Sequence, residues 1–127
     1  MAKPIVTVVI NLVISRLKAF KYAWDGLLDL LFHQEPVLVH LAAIFVALGT
    51  AWFLDFSAWK WVAIVGCIGF TLTTEALNTA VEYIVDLVSP DYHVLAGKAK
   101  DIAAAAVMIA SLTSAIIFVI LIYDALV

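Results

Sequence analysis

Three carboxylates and one amide lie on a single face of a predicted helix in an otherwise apolar chain. In the stretch TEALNTAVEYIVD (Thr74–Asp86), Asn78, Glu82 and Asp86 follow Glu75 at steps of 3, 7 and 11 residues. At about 100° per residue, these steps return to within about 60° of one direction on an α-helix. Hard cations such as Mg²⁺ take oxygen ligands and bind through one or two carboxylates together with phosphates. The spacing therefore predicts a polar stripe that suits a Mg²⁺ site.

The depth of the stripe follows from the apolar composition of the chain. Of 127 residues, 66% are hydrophobic and 13% are charged, and the mean hydropathy is +1.14. This composition indicates a protein whose solvent is lipid. Glu75 lies 16 positions after Trp59, about 24 Å along a helix. We expect Glu75 at the inner boundary of the hydrocarbon, where an ionisable group is a functional candidate. Glu82 and Asp86 are expected at the aqueous surface, either as ligands or as a solvated helix end.

The elements that carry these residues are all predicted to be helical. Three apolar segments are predicted to span the membrane, at about 37–54, 59–88 and 102–122, and Pro36 suits the first turn of the first one. The segment SPDYHVLAGKAKD (Ser89–Asp101) is predicted to be the turn between the last two spans. The fold class is thus an all-α integral membrane protein, with a single domain over residues 1–127.

Residues Ser15–His33 have the pattern of an amphipathic helix, because apolar side chains recur at steps of three and four with charges on another face. We expect this helix to lie on the inner membrane surface, and a soluble cap packed on the bundle is the alternative.

The apolar stretch Ile5–Ile14 is too short to span a bilayer, and it lacks the flanking features of a signal peptide. Cys67 is expected to be a small packing residue.

Basic residues predict the orientation of the chain in the membrane. Six of them are expected to face the cytoplasm, with Lys60 on the other side: Lys3, Arg16, Lys18, Lys21, Lys98 and Lys100. The amino terminus is then inside, the carboxyl terminus is outside, and an outer aromatic belt is formed by Trp52, Trp59, Trp61 and Tyr123. The net charge of -3 gives no indication of a nucleic-acid partner.

The turn before the third span offers charges that complement the stripe. Asp101 is expected to stabilise the amino terminus of the third span, because a negative charge is favourable there. Lys100 is either a membrane anchor or a partner for a phosphate. Tyr92 and His93 either contact a nucleotide or are simply exposed. The segment AGKAKD has the spacing of neither common phosphate-binding loop, GxxxxGK[ST] or GxGxxG.

Two stretches together resemble a known family. EALNTAVEYIVD, followed by YHVLAGKAKDIAAAAVMIA, is similar to the signature of the prokaryotic diacylglycerol kinases, a family that includes undecaprenol kinases. The similarity runs from about Arg16 to Tyr123, and KAFKYAWDGL (Lys18–Leu27) resembles the surface helix of that family. The resemblance implies a homotrimer of three-span subunits with composite sites. It also implies a prokaryotic membrane enzyme that moves the γ-phosphate of Mg-ATP to a lipid alcohol, either diacylglycerol or undecaprenol.

The resemblance also implies roles for individual residues. Glu75 matches the catalytic base and, with Trp24, is expected to contact the lipid substrate. Glu82 matches a ligand of both metal and ATP. The other residues that match nucleotide-site positions are Tyr22, Asn78, Asp91, Tyr92, His93, Lys100 and Asp101. Phosphorylation of a lipid alcohol needs a proton acceptor at the depth of the hydroxyl group, and Glu75 is expected there.

Some positions depart from the family pattern. The second metal-binding Glu of the family corresponds to Gln34, with Glu35 next to it, so the second metal ligand is predicted to be one of these two. An Arg that family members often carry is replaced by Leu38. These departures leave open an impaired homologue that binds lipid or a partner. The carboxylates of the stripe leave open a second alternative, a small proton- or cation-handling membrane bundle. Close helix contacts are expected along the third span, at Ala103–Ala106, Ser111 and Ser114.

Overall fold

The computed structural model describes residues 5–33 and 35–127, and every regular element in these ranges is an α-helix. The helices are α1 (Ile5–His33), α2 (Glu35–Phe53), α3 (Ala58–Val88) and α4 (Val94–Leu126). The chain forms two compact units, Met1–Glu35 and Pro36–Val127. The all-α class predicted from the sequence is confirmed.

The first unit contains α1, which begins ten residues earlier than the predicted surface helix. The predicted helix was Ser15–His33, whereas α1 begins at Ile5 and continues without a break through Ile14. The sequence after Pro4 contains no proline and no glycine before Gly26, so nothing interrupts the helical hydrogen bonds. The apolar stretch and the amphipathic stretch are therefore one helix.

In the second unit, α3 and α4 form an antiparallel pair. Lys100, near the start of α4, bonds to Asp86 near the end of α3. Lys60, near the start of α3, bonds to Asp124 near the end of α4. Between these ends, the Thr71 and Ser114 hydroxyls hydrogen-bond at 3.0 Å. The two helices are thus joined by polar contacts at both ends and in the middle.

The turn between α3 and α4 is shorter than predicted. It covers Ser89–His93, whereas the sequence predicted a turn as far as Asp101. His93 is the N-cap of α4, because its Nδ1 accepts a hydrogen bond from the Leu95 backbone N–H at 3.2 Å. Lys100 and Asp101 therefore lie inside α4, beyond its first turn. The explanation of Asp101 by the helix amino terminus was wrong, since that electrostatic effect falls off within the first turn.

The turn between α2 and α3 closes with a Schellman motif. The Phe56 N–H donates to the Ala51 carbonyl at 3.0 Å, and the Asp55 N–H donates to the Trp52 carbonyl at 3.3 Å. Asp55 holds the left-handed conformation that this motif requires, with φ of 49°. Phe56 and Ala51 are both buried and belong to one apolar cluster. This cluster anchors the end of α2 on α3 and α4 through Ile64 and Leu121.

At this same end of the unit, Lys60 is buried and paired. Its Nζ lies 2.9 Å from Asp124 Oδ2 and 5.1 Å from the centre of the Phe56 ring. The carboxylate and the aromatic ring therefore replace water as neighbours of the Lys60 ammonium group. Three of the four residues of the predicted aromatic belt are exposed at this end, namely Trp52, Trp59 and Tyr123.

Among the described residues, α3 and α4 are each long and apolar enough to cross a membrane. Their 31 and 33 residues reach about 46 and 50 Å, which exceeds the ~30 Å hydrocarbon thickness. In α4, only Ala110 and Leu121 are buried, and most large apolar side chains are exposed. The helix α2, which contains the predicted span Val37–Leu54 except for its last residue, is not one of these two, so that span stays a prediction.

The Schellman motif predicts a specific ranking of substitutions at Asp55. Asp55→Gly should match or exceed the unfolding temperature of the original protein in detergent, because glycine adopts positive φ without steric cost. Asp55→Val should lower the free energy of unfolding by about 1–2 kcal/mol, because a β-branched side chain clashes there. Ala58→Val, at an exposed position with ordinary helical geometry, is the control. A valine variant at 55 as stable as the glycine variant would contradict the motif.

Candidate active site

The polar stripe on α3 is graded from a buried end to an exposed end. Glu75 is only 2% exposed, Asn78 and Glu82 are half-buried, and Asp86 is exposed. The helix is continuous from Ala58 to Val88, so all four side chains keep the predicted common face. The buried carboxylate is thus farthest from the α3–α4 turn.

Asn78 and Glu82 form a polar pair within the stripe. Asn78 Nδ2 donates to Glu82 Oε1 at 2.9 Å, which orients both side chains across one helical turn. Asn78 Oδ1 is buried and has no hydrogen-bond partner among the described residues. Buried polar atoms normally have partners. This oxygen is therefore an acceptor that a ligand could use.

Asp86 and Lys100 connect the stripe to α4. Lys100 Nζ donates to Asp86 Oδ1 at 2.6 Å, and both side chains are substantially exposed. Asp86 lies one helical turn beyond Glu82. The contact therefore holds the Lys100 ammonium group beside the outer end of the stripe. The sequence had assigned no definite partner to Asp86.

The remaining predicted nucleotide residues of the second unit lie at its exposed end. Asp91, Tyr92 and Asp101 are exposed, and Tyr92 is 90% exposed. Asp91 lies in the α3–α4 turn, where its carbonyl oxygen accepts a hydrogen bond from Ser89 Oγ at 3.1 Å. His93 has a structural role as the cap of α4. Nucleotide contacts by these residues stay predictions.

Other predicted site residues lie in the first unit or outside the described residues. Tyr22 and Trp24 are exposed on α1, and Trp24 lines a shallow surface groove with Phe20 and Lys21. Gln34 lies outside the described residues, as does the side chain of Glu35. The predicted second metal ligand therefore stays a prediction.

An apolar groove lies between α2, α3 and α4. Its volume is about 320 Å³, and its walls are mainly Ile and Ala side chains. Three hydroxyl groups also line it, those of Thr71, Ser111 and Ser114. Ser114 Oγ contacts Thr71 and donates to the Cys67 carbonyl at 3.4 Å, in line with the close packing predicted there. Its size is in the range of small-molecule pockets, and its walls suit an apolar ligand.

His40 is the site residue that sequence reasoning missed. Its Nε2 lies 3.6 Å from Glu75 Oε2, and its side chain lines the groove. Both side chains are largely buried, at 17% and 3% exposure. A histidine four residues after Pro36, in the first turns of a span expected to start inside, was a signal that could have found it.

The described residues contain no group of three or more His, Cys, Asp or Glu side chains that could hold a metal ion. Glu82 and the free oxygen of Asn78 are two oxygen donors of the kind Mg²⁺ uses. Mg²⁺ commonly completes its coordination with phosphates and water. The donor set therefore fits a metal that arrives with a phosphate ligand better than a closed protein cage.

Removal of the Asp86–Lys100 contact should have little effect on the stability of the protein. Because the Asp86 side chain is 65% exposed and that of Lys100 is 37% exposed, Asp86→Asn should lower the free energy of unfolding by less than about 1 kcal/mol. Thermal unfolding in mild detergent would measure this for Asp86→Asn, Lys100→Met and the double variant. A coupling energy of several kcal/mol in this cycle would show that the pair is structural.

Comparison with known proteins gives consistent matches over most of the chain. The family model for prokaryotic diacylglycerol kinase matches residues 21–122, which include α2, α3 and most of α4. Diacylglycerol kinase of Escherichia coli (strain K12) is 36% identical over 113 residues, covering 85% of this chain and 88% of that protein. Undecaprenol kinase of Bacillus subtilis (strain 168) is 35% identical over 100 residues, covering 79% and 81%. Diacylglycerol kinase of Synechocystis sp. is 34% identical over 110 residues, covering 84% and 59%.

Proposed function

Because the chain belongs to the prokaryotic diacylglycerol kinase family, we propose that it transfers the γ-phosphate of Mg-ATP to the primary hydroxyl of a membrane lipid alcohol. The chain is a lipid kinase of a prokaryotic membrane. The substrate is diacylglycerol or undecaprenol, and the product is phosphatidic acid or undecaprenyl phosphate. The observation that carries the proposal is the buried carboxylate of Glu75 on a helix that is long and apolar enough to cross a membrane.

Glu75 is suited to accept the proton of the lipid hydroxyl. Its carboxylate is nine-tenths or more buried, so bulk water does not compete for it. It lies about 24 Å along α3 from Trp59, close to one edge of the hydrocarbon layer. A general base must be within hydrogen-bond reach of the hydroxyl that it deprotonates. A lipid alcohol places its hydroxyl at this depth while its chains remain in the apolar layer.

Glu82, Asn78 and Lys100 are suited to the phosphate side of the reaction. Glu82 and Asn78 Oδ1 would hold the metal with the ATP phosphates, and Lys100 would contact phosphate oxygens. When bound, Mg²⁺ neutralises negative charge on the phosphates. The step from Glu75 to Glu82 is two helical turns, about 10 Å. The stripe therefore spans the distance between a hydroxyl in the membrane interface and a nucleotide in water.

The orientation and assembly belong to the same proposal. ATP is cytoplasmic, so the α3–α4 turn faces the cytoplasm, in agreement with Lys98 and Lys100 near it. We place the carboxyl terminus outside and the α1 surface helix inside. We propose a composite site between subunits, as the resemblance to the family implies. A homotrimer would complete it, with Tyr22, Trp24 and either Gln34 or Glu35 as the remaining contacts.

The apolar groove supports a lipid as the second substrate. It begins beside His40, next to Glu75, and continues to Leu121 near the far end of α4. A hydrocarbon chain in this groove would keep its hydroxyl end close to Glu75. The walls do not discriminate between acyl and prenyl chains, because both are flexible and apolar. A phosphorylation assay with radiolabelled ATP and both lipids side by side tests which one is preferred.

Replacement of the proposed base tests the function directly. Glu75→Gln should lower ATP-dependent phosphorylation of lipid at least about 100-fold, because general-base catalysis contributes factors of that order. The assay measures transfer of labelled phosphate to diacylglycerol and undecaprenol in detergent. Asp55→Asn is a matched control, since it removes a carboxylate far along the chain and asparagine tolerates the left-handed turn. Full activity of Glu75→Gln would contradict the proposal. If the original protein binds nucleotide but does not phosphorylate lipid, it is an impaired homologue.

Replacement of the proposed metal ligand should change the response to Mg²⁺. Glu82→Gln should raise the Mg²⁺ concentration for half-maximal activity about tenfold or more, because a charged ligand becomes neutral. The KM for lipid should stay the same, since Glu82 lies two turns from Glu75. Titration of Mg²⁺ at constant ATP measures the first value, and titration of lipid in mixed micelles measures the second. An unchanged Mg²⁺ requirement would remove Glu82 from the metal site.

A further inference from the structure

The imidazole of His40 is the one basic side chain that the described residues place beside the Glu75 carboxylate. The two side chains come from different helices, α2 and α3, within one unit. Two neighbouring hydrogen-bond donors on α3 are engaged elsewhere. Thr74 Oγ1 donates to the Thr71 carbonyl at 2.8 Å, and Asn78 donates to Glu82. Among the described residues, His40 is therefore the side chain best placed to orient the buried carboxylate.

We propose that His40 is a positioning residue that orients Glu75 for proton transfer from the lipid alcohol. The inference rests on the function proposed above. With its proton on Nε2, the imidazole donates toward Glu75 Oε2, and Oε1 remains as the acceptor for the hydroxyl proton. The 3.6 Å separation is within ion-pairing range and slightly longer than a hydrogen bond. For the hydrogen bond to form, the two atoms must approach more closely than they do in this structure.

The orientation of the Glu75 carboxylate affects the rate of the proposed phosphate transfer. Oε1 takes the hydroxyl proton while the alcohol oxygen bonds to the γ-phosphorus. The bond from that phosphorus to the bridging oxygen breaks, and ADP leaves with the electron pair. A carboxylate that is free to rotate loses alignment with the hydroxyl group, and misplacement by about 1 Å can cost a factor of about 100 in rate.

The position of His40 also fits this role. Its side chain lines the groove, and the same ring faces Glu75. It therefore contacts both the path proposed for the lipid and the group that accepts the proton. A residue that only filled space would need no hydrogen-bond donor at Nε2, whereas a positioning residue needs one. This difference separates the two roles by experiment.

Four variants test the proposal, with kcat and the KM for ATP measured at saturating lipid. His40→Leu should lower kcat about 10- to 100-fold, as loss of an orienting partner does, while the KM for ATP stays within about twofold because the metal-side residues are unchanged. His40→Gln should retain kcat within about threefold, since its amide can place an N–H near the position of Nε2. His40→Asn has the same amide on a shorter side chain and should behave like leucine. Val39→Leu, an exposed neighbour on α2, is the control and should be unchanged.

The outcomes separate the role of His40 from the proposed function. Equal losses in His40→Gln and His40→Leu, or full activity of His40→Leu while Glu75→Gln is inactive, would overturn the role of His40 alone. An original protein without lipid-phosphorylating activity would overturn both. His40→Leu combined with Glu75→Gln should be no slower than Glu75→Gln alone, because His40 acts through that carboxylate. If His40→Leu does not elute as a folded protein in detergent, the comparison of glutamine with asparagine decides.

Discussion

The structure depends on keeping a carboxylate, Glu75, buried in a helix that is long and apolar enough to cross a membrane. Transfer of an ionised carboxylate out of water is costly unless hydrogen bonds or an opposite charge compensate for it. The described residues offer His40 on a second helix as that compensation. The same lack of water makes the carboxylate a useful base. The cost of burial and the proposed catalytic property thus have one physical origin.

Because α3 is long, the buried Glu75 carboxylate is one end of a polar stripe that continues along the helix to its exposed end. The helix exceeds the hydrocarbon thickness by about 16 Å, so one face carries polar residues from the buried to the exposed environment. Glu75 is buried, Glu82 is half-buried and Asp86 is exposed. A reaction between a lipid and a water-soluble nucleotide needs such a gradient. A continuous helix provides it without a loop, since its backbone groups are hydrogen-bonded throughout.

The antiparallel α3–α4 pair keeps this face in register with the groove. Lys100 joins Asp86 at one end and Lys60 joins Asp124 at the other. These contacts lie at the ends of two apolar helices. In a membrane, hydrophobic burial determines the axial position of one helix against the other only weakly, because lipid is as apolar as the side chains. The hydroxyl contact of Thr71 with Ser114 adds a third point of alignment in the apolar region. Polar contacts thus accompany the apolar packing of α3 on α4 at both ends and in the middle.

The sequence by itself determined the all-α class, the limits of α3 and the common face of the polar stripe, because these follow from composition and helical periodicity within one segment. It missed the start of α1 at Ile5 and the start of α4 at Val94, since an apolar run and a turn-like composition do not mark where capping occurs. Only the tertiary structure decided that His40 faces Glu75 and that Asp86 faces Lys100. Each of these pairs joins two helices, and the rotation and axial position of one helix against another are properties of packing that neither segment encodes alone.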